Sequence, residues 1–250
     1  MAFDAAPQAV ESHLKSNCAF CPVQDCMGRG TASAPTFGAI VGAPTAALPG
    51  RAALYEAGQA LRALYTVRAG CIKTYTVDSQ GNEHIRGFHL PGDVVGLDGL
   101  GAARTRSSAA AVTPSQVCAA AVTDFRGLLQ RDPAVAQHLT EAASRELALA
   151  LAISGDFTAE QRMAAFLLHM EERMDSTGGV LRLPMTRRDI GSYLRLATET
   201  VCRTLKTFER KGWLRCEEKC IRLLARHKLY EVGEAVGICR RPGVSMALAA

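Results

Sequence analysis

The chain has 250 residues, 48% hydrophobic and 21% charged, with a net charge of +5. That length supports two domains with their own cores. No uninterrupted apolar run reaches membrane-spanning length, and the opening MAFDAAPQAV lacks the basic start and apolar core of a secretory signal. The expectation is a cytoplasmic protein with no membrane partner, whose nine cysteines serve metal binding or redox chemistry rather than disulfides.

Residues 12–30 hold Cys18, Cys21 and Cys26, spaced C-x2-C and then x4-C. A C-x2-C turn points two sulfurs to one side, as iron–sulfur and zinc sites require. Three thiolates leave a fourth position open, so a distant ligand is needed to close the site. The plain alternative is a tail with incidental thiols. Residues 31–50, rich in Ala, Gly, Pro and Thr, read as a linker.

From 51 to about 125 the pattern becomes short strands with turn signals between them. Strands are expected at 52–55, 63–67, 71–77, 84–90, 108–112 and 116–121, with a hairpin turn at Gln80-Gly81-Asn82 and a stop at Pro91-Gly92-Asp93. Many short, evenly spaced strands indicate a sandwich or jelly roll. Cys71 lies in a strand and reads as a buried small hydrophobe. A long helix follows at 133–153, with Asp132 as its cap and Pro133 at its first position. Ser144, Leu147 and Leu151 share one stripe on it, suited either to a second copy or to the chain's own barrel. After Gly155-Asp156, residues 158–174 form an amphipathic helix with Met163, Phe166, Leu167 and Met170 as its core side.

Residues 185–211 are two helical patterns joined by a tight bend. Thr186 and Asp189 make a capping box for the first, which carries the apolar pair Ile190 and Leu194. Leu196 packs at the bend, and Thr198 offers the second cap. Val201, Leu205 and Phe208 form an apolar stripe, and Glu199, Cys202, Arg203, Lys206 and Arg210 fill the opposite face. This is the layout of a helix-turn-helix offering its second helix to the DNA major groove. The bland alternative is a helical hairpin with a solvated basic face. Residues 186–230 carry twelve Lys/Arg against five acids, a local balance of +7 that suits phosphate contacts. Segments 212–216 and 220–224 then form a hairpin wing, where Cys216 and Cys220 read as structural or as a cross-strand thiol pair.

YTVRAGCIKTYTVDSQGNEHIRGFHLPGDVVGLDGL closely resembles the sensory barrel of the CRP/FNR family of bacterial transcription regulators, and the helix-turn-helix matches the same family. The resemblance covers about residues 48–224. GFHLPGDVVGLDGLG and the N-terminal cysteines look like the FNR branch, oxygen-responsive regulators that ligate a 4Fe–4S cluster and take the fourth ligand from the barrel. Cys118, in SQVCAAAV, occupies that place. The chain departs from the branch in its x4 spacing before Cys26 and in lacking the apolar helix that normally follows the loop. In the cyclic-nucleotide branch a G-E-L motif holds ribose and a later Arg pairs with phosphate. Here the motif reads Gly96-Leu97-Asp98, then Arg106-Ser107-Ser108, so nucleotide sensing is disfavoured although Arg106 could still meet an anion.

The resemblance implies an α+β architecture. A cysteine-rich loop (1–30) and linker (31–50) lead into a jelly-roll, cyclic-nucleotide-binding-like β-barrel (51–130). A dimerisation helix (131–155), a winged helix-turn-helix (156–230) and a tail (231–250) follow. It further implies a homodimer, seamed through Ser144, Leu147 and Leu151, that binds near-palindromic double-stranded DNA with TTGAT-like half-sites and works with RNA polymerase. Arg203 would read guanine and Glu199 cytosine, with Cys202 where the branch usually has serine. Thr186, Arg187 and Arg195 would hold phosphates. Cys18, Cys21, Cys26 and Cys118 would hold the cluster while oxygen is absent. The alternatives are a zinc site or thiol switch on the same cysteines, or haem near His84 and His89. No nucleophile–base pair stands out, and an enzyme is not expected.

Overall fold

The computed structural model describes residues 45–102, 104–131, 133–174, 179–217 and 220–237. Cys18, Cys21 and Cys26 therefore lie outside the described residues, as does Asp132. The chain divides into two compact units, with residues 144 onward and the short stretch 83–85 forming the second.

Among the described residues eight strands precede the helices, all in the first unit except the start of β5: β1 Thr45–Leu48, β2 Ala53–Tyr55, β3 Ala63–Ala69, β4 Ile72–Val77, β5 Glu83–His89, β6 Val94–Val95, β7 Ser108–Ala111 and β8 Ser115–Ala121. They form two four-stranded sheets ordered β1-β8-β3-β6 and β2-β7-β4-β5. Tyr55, Val67, Ile72, Val95, Ala109, Ala111 and Val117 fill the space between them. Because side chains alternate along a strand, the neighbours of Val67 and Val117 face the other way. On that outer face Leu64 and Val94 pack with Phe125 of helix α1 Val122–Arg131, joined by Leu139 of helix α2 Pro133–Ser154. The expected jelly-roll sandwich is thus present.

Three elements differ from the sequence reading. The stretch taken as a linker ends in β1, because its backbone pairs antiparallel with β8 from Thr45↔Cys118 to Leu48↔Ser115. Helix α1 lies inside the span read as barrel; it continues directly from the apolar end of β8, so periodicity does not separate the two. The fold also extends beyond 230, through helix α6 Arg226–Gly233 and a 3-10 turn to Val236.

In the second unit, helix α3 Ala159–Arg173 starts with a full capping box between Thr158 and Gln161 and buries Met163, Phe166, Leu167 and Met170. Helices α4 Arg187–Leu194 and α5 Thr198–Arg210 follow β9 Val180–Leu181. Strands β10 Leu214–Glu217 and β11 Cys220–Leu223 pair antiparallel, with β9 on the far side of β11. Gly233 permits close docking of α6, since a Cβ there would lie 2.9 Å from the backbone nitrogen of Ala165 in α3.

Candidate nucleic-acid interface and barrel cysteine

The Thr186–Asp189 capping box forms as the sequence indicates. Thr186 Oγ1 accepts from the Asp189 N–H at 3.1 Å, and Asp189 Oδ2 accepts from the Thr186 N–H at 3.0 Å and its hydroxyl at 2.7 Å. Ile190 and Leu194 are buried on one side of α4, and Val201, Leu205 and Phe208 on one side of α5. The bend between them is tight. Leu196 N–H donates to the Gly191 carbonyl at 2.8 Å, and a Cβ on Gly191 would come within 2.7 Å of the Leu196 carbonyl oxygen. Thr198 does not cap α5. Ala197 takes that place with an extended backbone (φ −64°, ψ 147°), its carbonyl accepting from Val201 N–H, so Thr198 is already in the helix.

The burial of that stripe leaves Glu199, Cys202, Arg203, Lys206 and Arg210 exposed on the other side of α5. Glu199, Cys202, Arg203 and Lys206 sit at helical spacing and project as one row. Arg203 Nη2 lies 3.4 Å from Thr200 Oγ1, a weak tether that leaves the guanidinium facing outward. Arg195 closes α4 in the left-handed region, at φ 56° and ψ 45°, and is exposed beside the bend. Arg187 is half-buried and Thr186 exposed. Lys211 is committed elsewhere, to Glu160 at 3.0 Å and over the Trp213 ring at 4.6 Å.

Two long-range contacts fix this surface and could not be read from local pattern. Glu209 of α5 accepts from the Cys216 N–H at 2.9 Å, holding the wing to the second helix. Arg162 of α3 donates to the Leu194 carbonyl at 3.1 Å and to the Gly155 carbonyl at 3.0 Å, tying the end of α4 to the bend after α2. Nothing in an amphipathic helix marks such an arginine beforehand.

Cys216 and Cys220 are not a cross-strand pair. The register sets Cys216 opposite Ile221 and Cys220 opposite Glu217, which puts the two thiols on opposite faces of the hairpin. Burial pushes the Cys216 thiol up, with Arg187 opposing. Cys220 donates to Glu217 at 3.1 Å, and that hydrogen bond raises the thiol while lowering the carboxyl, which Arg222 lowers further.

In the barrel, Cys118 is 4% exposed. It pairs in register with Thr45 of β1 on one side and Thr66 of β3 on the other. Its neighbour Val117 points into the sandwich, so Cys118 lies on the outer face, the one on which Leu64, Phe125 and Leu139 pack. Cys71 is also buried, its N–H donating to Ser115 Oγ at 3.1 Å. His89 is a buried strand residue whose Nε2 lies 3.1 Å from Thr74 Oγ1, and His84 is exposed. Among the described residues no group of three or more His, Cys, Asp or Glu is placed to hold a metal, and no helix is long and apolar enough to cross a membrane. On α2, Ser144 is exposed and Leu147 and Leu151 are 62% and 63% exposed, an apolar stripe open to solvent.

Residues 47–132 match the sequence model of the cyclic nucleotide-binding domain, and residues 161–232 that of the Crp-like helix-turn-helix domain. The chain is 40% identical over 179 residues to the transcriptional regulatory protein Btr of Bordetella pertussis, covering 68% of this chain and 73% of the relative. It is 38% identical over 175 residues to the fumarate and nitrate reduction regulatory protein of Escherichia coli, covering 67% and 70%. Among solved structures, FixK2 from Bradyrhizobium japonicum superposes with a TM-score of 0.70 at 32% identity, over 76% of this chain and 97% of that one.

Proposed function

This chain belongs to the CRP/FNR family of transcription regulators, DNA-binding and dimeric proteins rather than enzymes, and on that footing we propose that it is an anaerobically active homodimer sensing oxygen or redox state through a 4Fe–4S cluster held by Cys18, Cys21, Cys26 and Cys118. The observation that carries the reading is the register Thr45↔Cys118. The segment bearing the three N-terminal cysteines enters the fold directly beside the buried barrel thiol. Eighteen residues lie between Cys26 and Thr45, a span of up to roughly 60 Å at ~3.3 Å per residue, ample to fold back onto Cys118. Four thiolates are a donor set that suits an iron–sulfur cluster. When bound, such a cluster supplies the oxygen-reactive chemistry.

The protein's own part is to couple that site to DNA. Cys118 shares its sheet face with the seat of α1 and α2, so occupancy that favours one packing of Leu64, Phe125 and Leu139 biases α2. Linkage needs only that the DNA-binding dimer holds the cluster better than other states do. Exposed Leu147 and Leu151, with Ser144 one turn before them, form the seam to a second copy. In each protomer Arg203 donates two hydrogen bonds to guanine O6 and N7, and Glu199 accepts from cytosine N4, a bidentate contact discriminating by about 1–3 kcal/mol. Cys202 lies between them on a near-palindromic, TTGAT-like site. Thr186, Arg187 and Arg195 contact phosphates, and RNA polymerase is the partner that reads the occupied site.

Anaerobic purification followed by iron and sulfide assay, with Cys→Ser changes at all four positions, tests the proposal. It expects a brown protein that bleaches in air, and loss of colour in each variant. A colourless protein holding one zinc, or a Soret band after haem reconstitution, would overturn it.

A further inference from the structure

One guanidinium joins the ends of two helices in the second unit, and neither base reading nor the cysteines use it. Arg162 stands near the start of α3. Its Nη1 donates at 3.1 Å to the carbonyl of Leu194, the last residue of α4, and its Nη2 donates at 3.0 Å to the carbonyl of Gly155. Gly155 directly follows α2, and its own N–H closes the final turn on the Leu151 carbonyl at 3.1 Å. Helix C-termini leave carbonyls unfilled and carry partial negative charge, so a cation placed there serves both helices at once. The third donor, Nε, is buried and meets no acceptor among the described residues. The two carbonyls alone therefore set how the fork is turned. Because the guanidinium is planar and rigid, it holds the two helix ends at a fixed separation.

The apolar packing around the clamp joins the same helices. Leu149 and Ile153 of α2, Phe166 of α3, and Tyr193 and Leu194 of α4 share the lining of one cavity of about 10 Å³, room for about one water and none for a ligand. The helices thus meet side chain to side chain, with the Phe166 and Tyr193 ring centres 5.9 Å apart. Leu149 and Ile153 each lie two residues beyond exposed Leu147 and Leu151, about 200° round the helix. The last turns of α2 therefore carry the reading module on one side and the open apolar stripe on the other. All these residues belong to the second unit. Helix α5 begins at Thr198, four residues after Leu194, so the clamp holds the bend from which the reading helix starts. We propose that Arg162 is a positioning residue that fixes α5 against the end of α2, and so sets the half-site spacing that the dimer accepts. This rests on the dimeric DNA-binding reading above and does not involve the cluster.

Each base pair added between two half-sites moves the far one by about 3.4 Å and turns it by about 35°, which a fixed pair of reading helices must refuse. Anisotropy titrations of the full chain, kept anaerobic, test this on duplexes with two TTGAT-like half-sites whose spacer changes one base pair at a time, and on a duplex with a single half-site. The wild type should bind best at one spacer length. Arg162→Met, which keeps bulk and removes the fork, should cut that preference by about ten- to a hundredfold, the worth of a hydrogen bond to a charged group, with half-site affinity changed less than about twofold. Arg162→Lys keeps the charge but reaches one carbonyl at a time, so it should fall between; if the methionine variant does not fold, the lysine variant decides alone. An equal loss on every duplex marks a merely structural residue and overturns the proposal, as does a spacing preference unchanged in both variants. A second measurement is independent of the DNA sequence. Electron-spin distances between nitroxide amino acids at position 206 of the two protomers should be narrowly distributed in the wild type and broader in the variants. A wild type that ignores these duplexes faults the base reading alone, and the distances then decide: equally narrow distributions overturn the proposal.

Discussion

Arg195 sits where a helix-ending glycine is expected, and replacing it separates the cost of its backbone from the use of its side chain. At φ 56° and ψ 45° it occupies the left-handed region, which costs an L-residue about 1–2 kcal/mol. Arg195→Gly removes that cost but gives back about 0.5–1 kcal/mol through the greater freedom of the unfolded chain. The expected balance is a stabilisation of about 0.5–1 kcal/mol, raising Tm by roughly 2–6 °C for a unit of this size. If the guanidinium serves a phosphate, DNA affinity falls equally on specific and random duplexes, and the slope of log K against log salt shrinks by about 1. Thermal melts and fluorescence anisotropy at several salt concentrations measure both. A lower Tm, or an unchanged salt slope, would refute the reasoning: the residue would then be held by the fold and idle on DNA.

Arg203→Ala should weaken specific binding by about 1–3 kcal/mol and random binding far less, and equal loss on both would argue against base reading. Leu147→Asp with Leu151→Asp should convert a micromolar dimer to monomer by sedimentation; a persisting dimer excludes this stripe as the seam. Burial pushes the Tyr193 phenol up to about 12, against lowering by Arg173 and with help from Glu146. Its stabilising contribution is whole below the unfolded value of about 10 and is lost as pH rises through the folded value. Ultraviolet titration against Tyr193→Phe should therefore reveal one late-titrating tyrosine, and an ordinary midpoint would contradict the packing. Glu217→Gln should speed alkylation of Cys220 at mildly alkaline pH, because the carboxylate that raises the thiol is gone. An unchanged rate means the hydrogen bond does not form in solution.

The parts of the fold that depend on local periodicity were legible. The capping box at Thr186 and Asp189, and the stripe Val201, Leu205 and Phe208, form as their spacing demands. Elements defined by a distant partner were not. Thr-Ala-Ala-Leu at 45–48 has little strand character of its own and becomes β1 through pairing with β8. Thr198 has the chemistry of a cap, yet the geometry of the bend gives the position to Ala197. Glu209 reaching Cys216, Arg162 reaching Leu194 and Asp98 reaching Ser107 all join residues whose approach only tertiary structure decides.

The two buried cysteines of the barrel differ in position, and the ligand role proposed above falls to Cys118 on that ground. Cys71 precedes Ile72, which packs between the sheets, and its surroundings are a β-strand edge and Ser115. Cys118 lies on the outer face of its sheet, the face on which Phe125 and Leu139 pack against Leu64. Interiors packed this closely transmit displacement instead of damping it. Leu139 belongs to the same unbroken helix as Leu147 and Leu151, about 12–18 Å further along at ~1.5 Å per residue. If Cys118 ligates the proposed cluster, a displacement at 118 reaches the sheet face on which Leu139 of that helix packs.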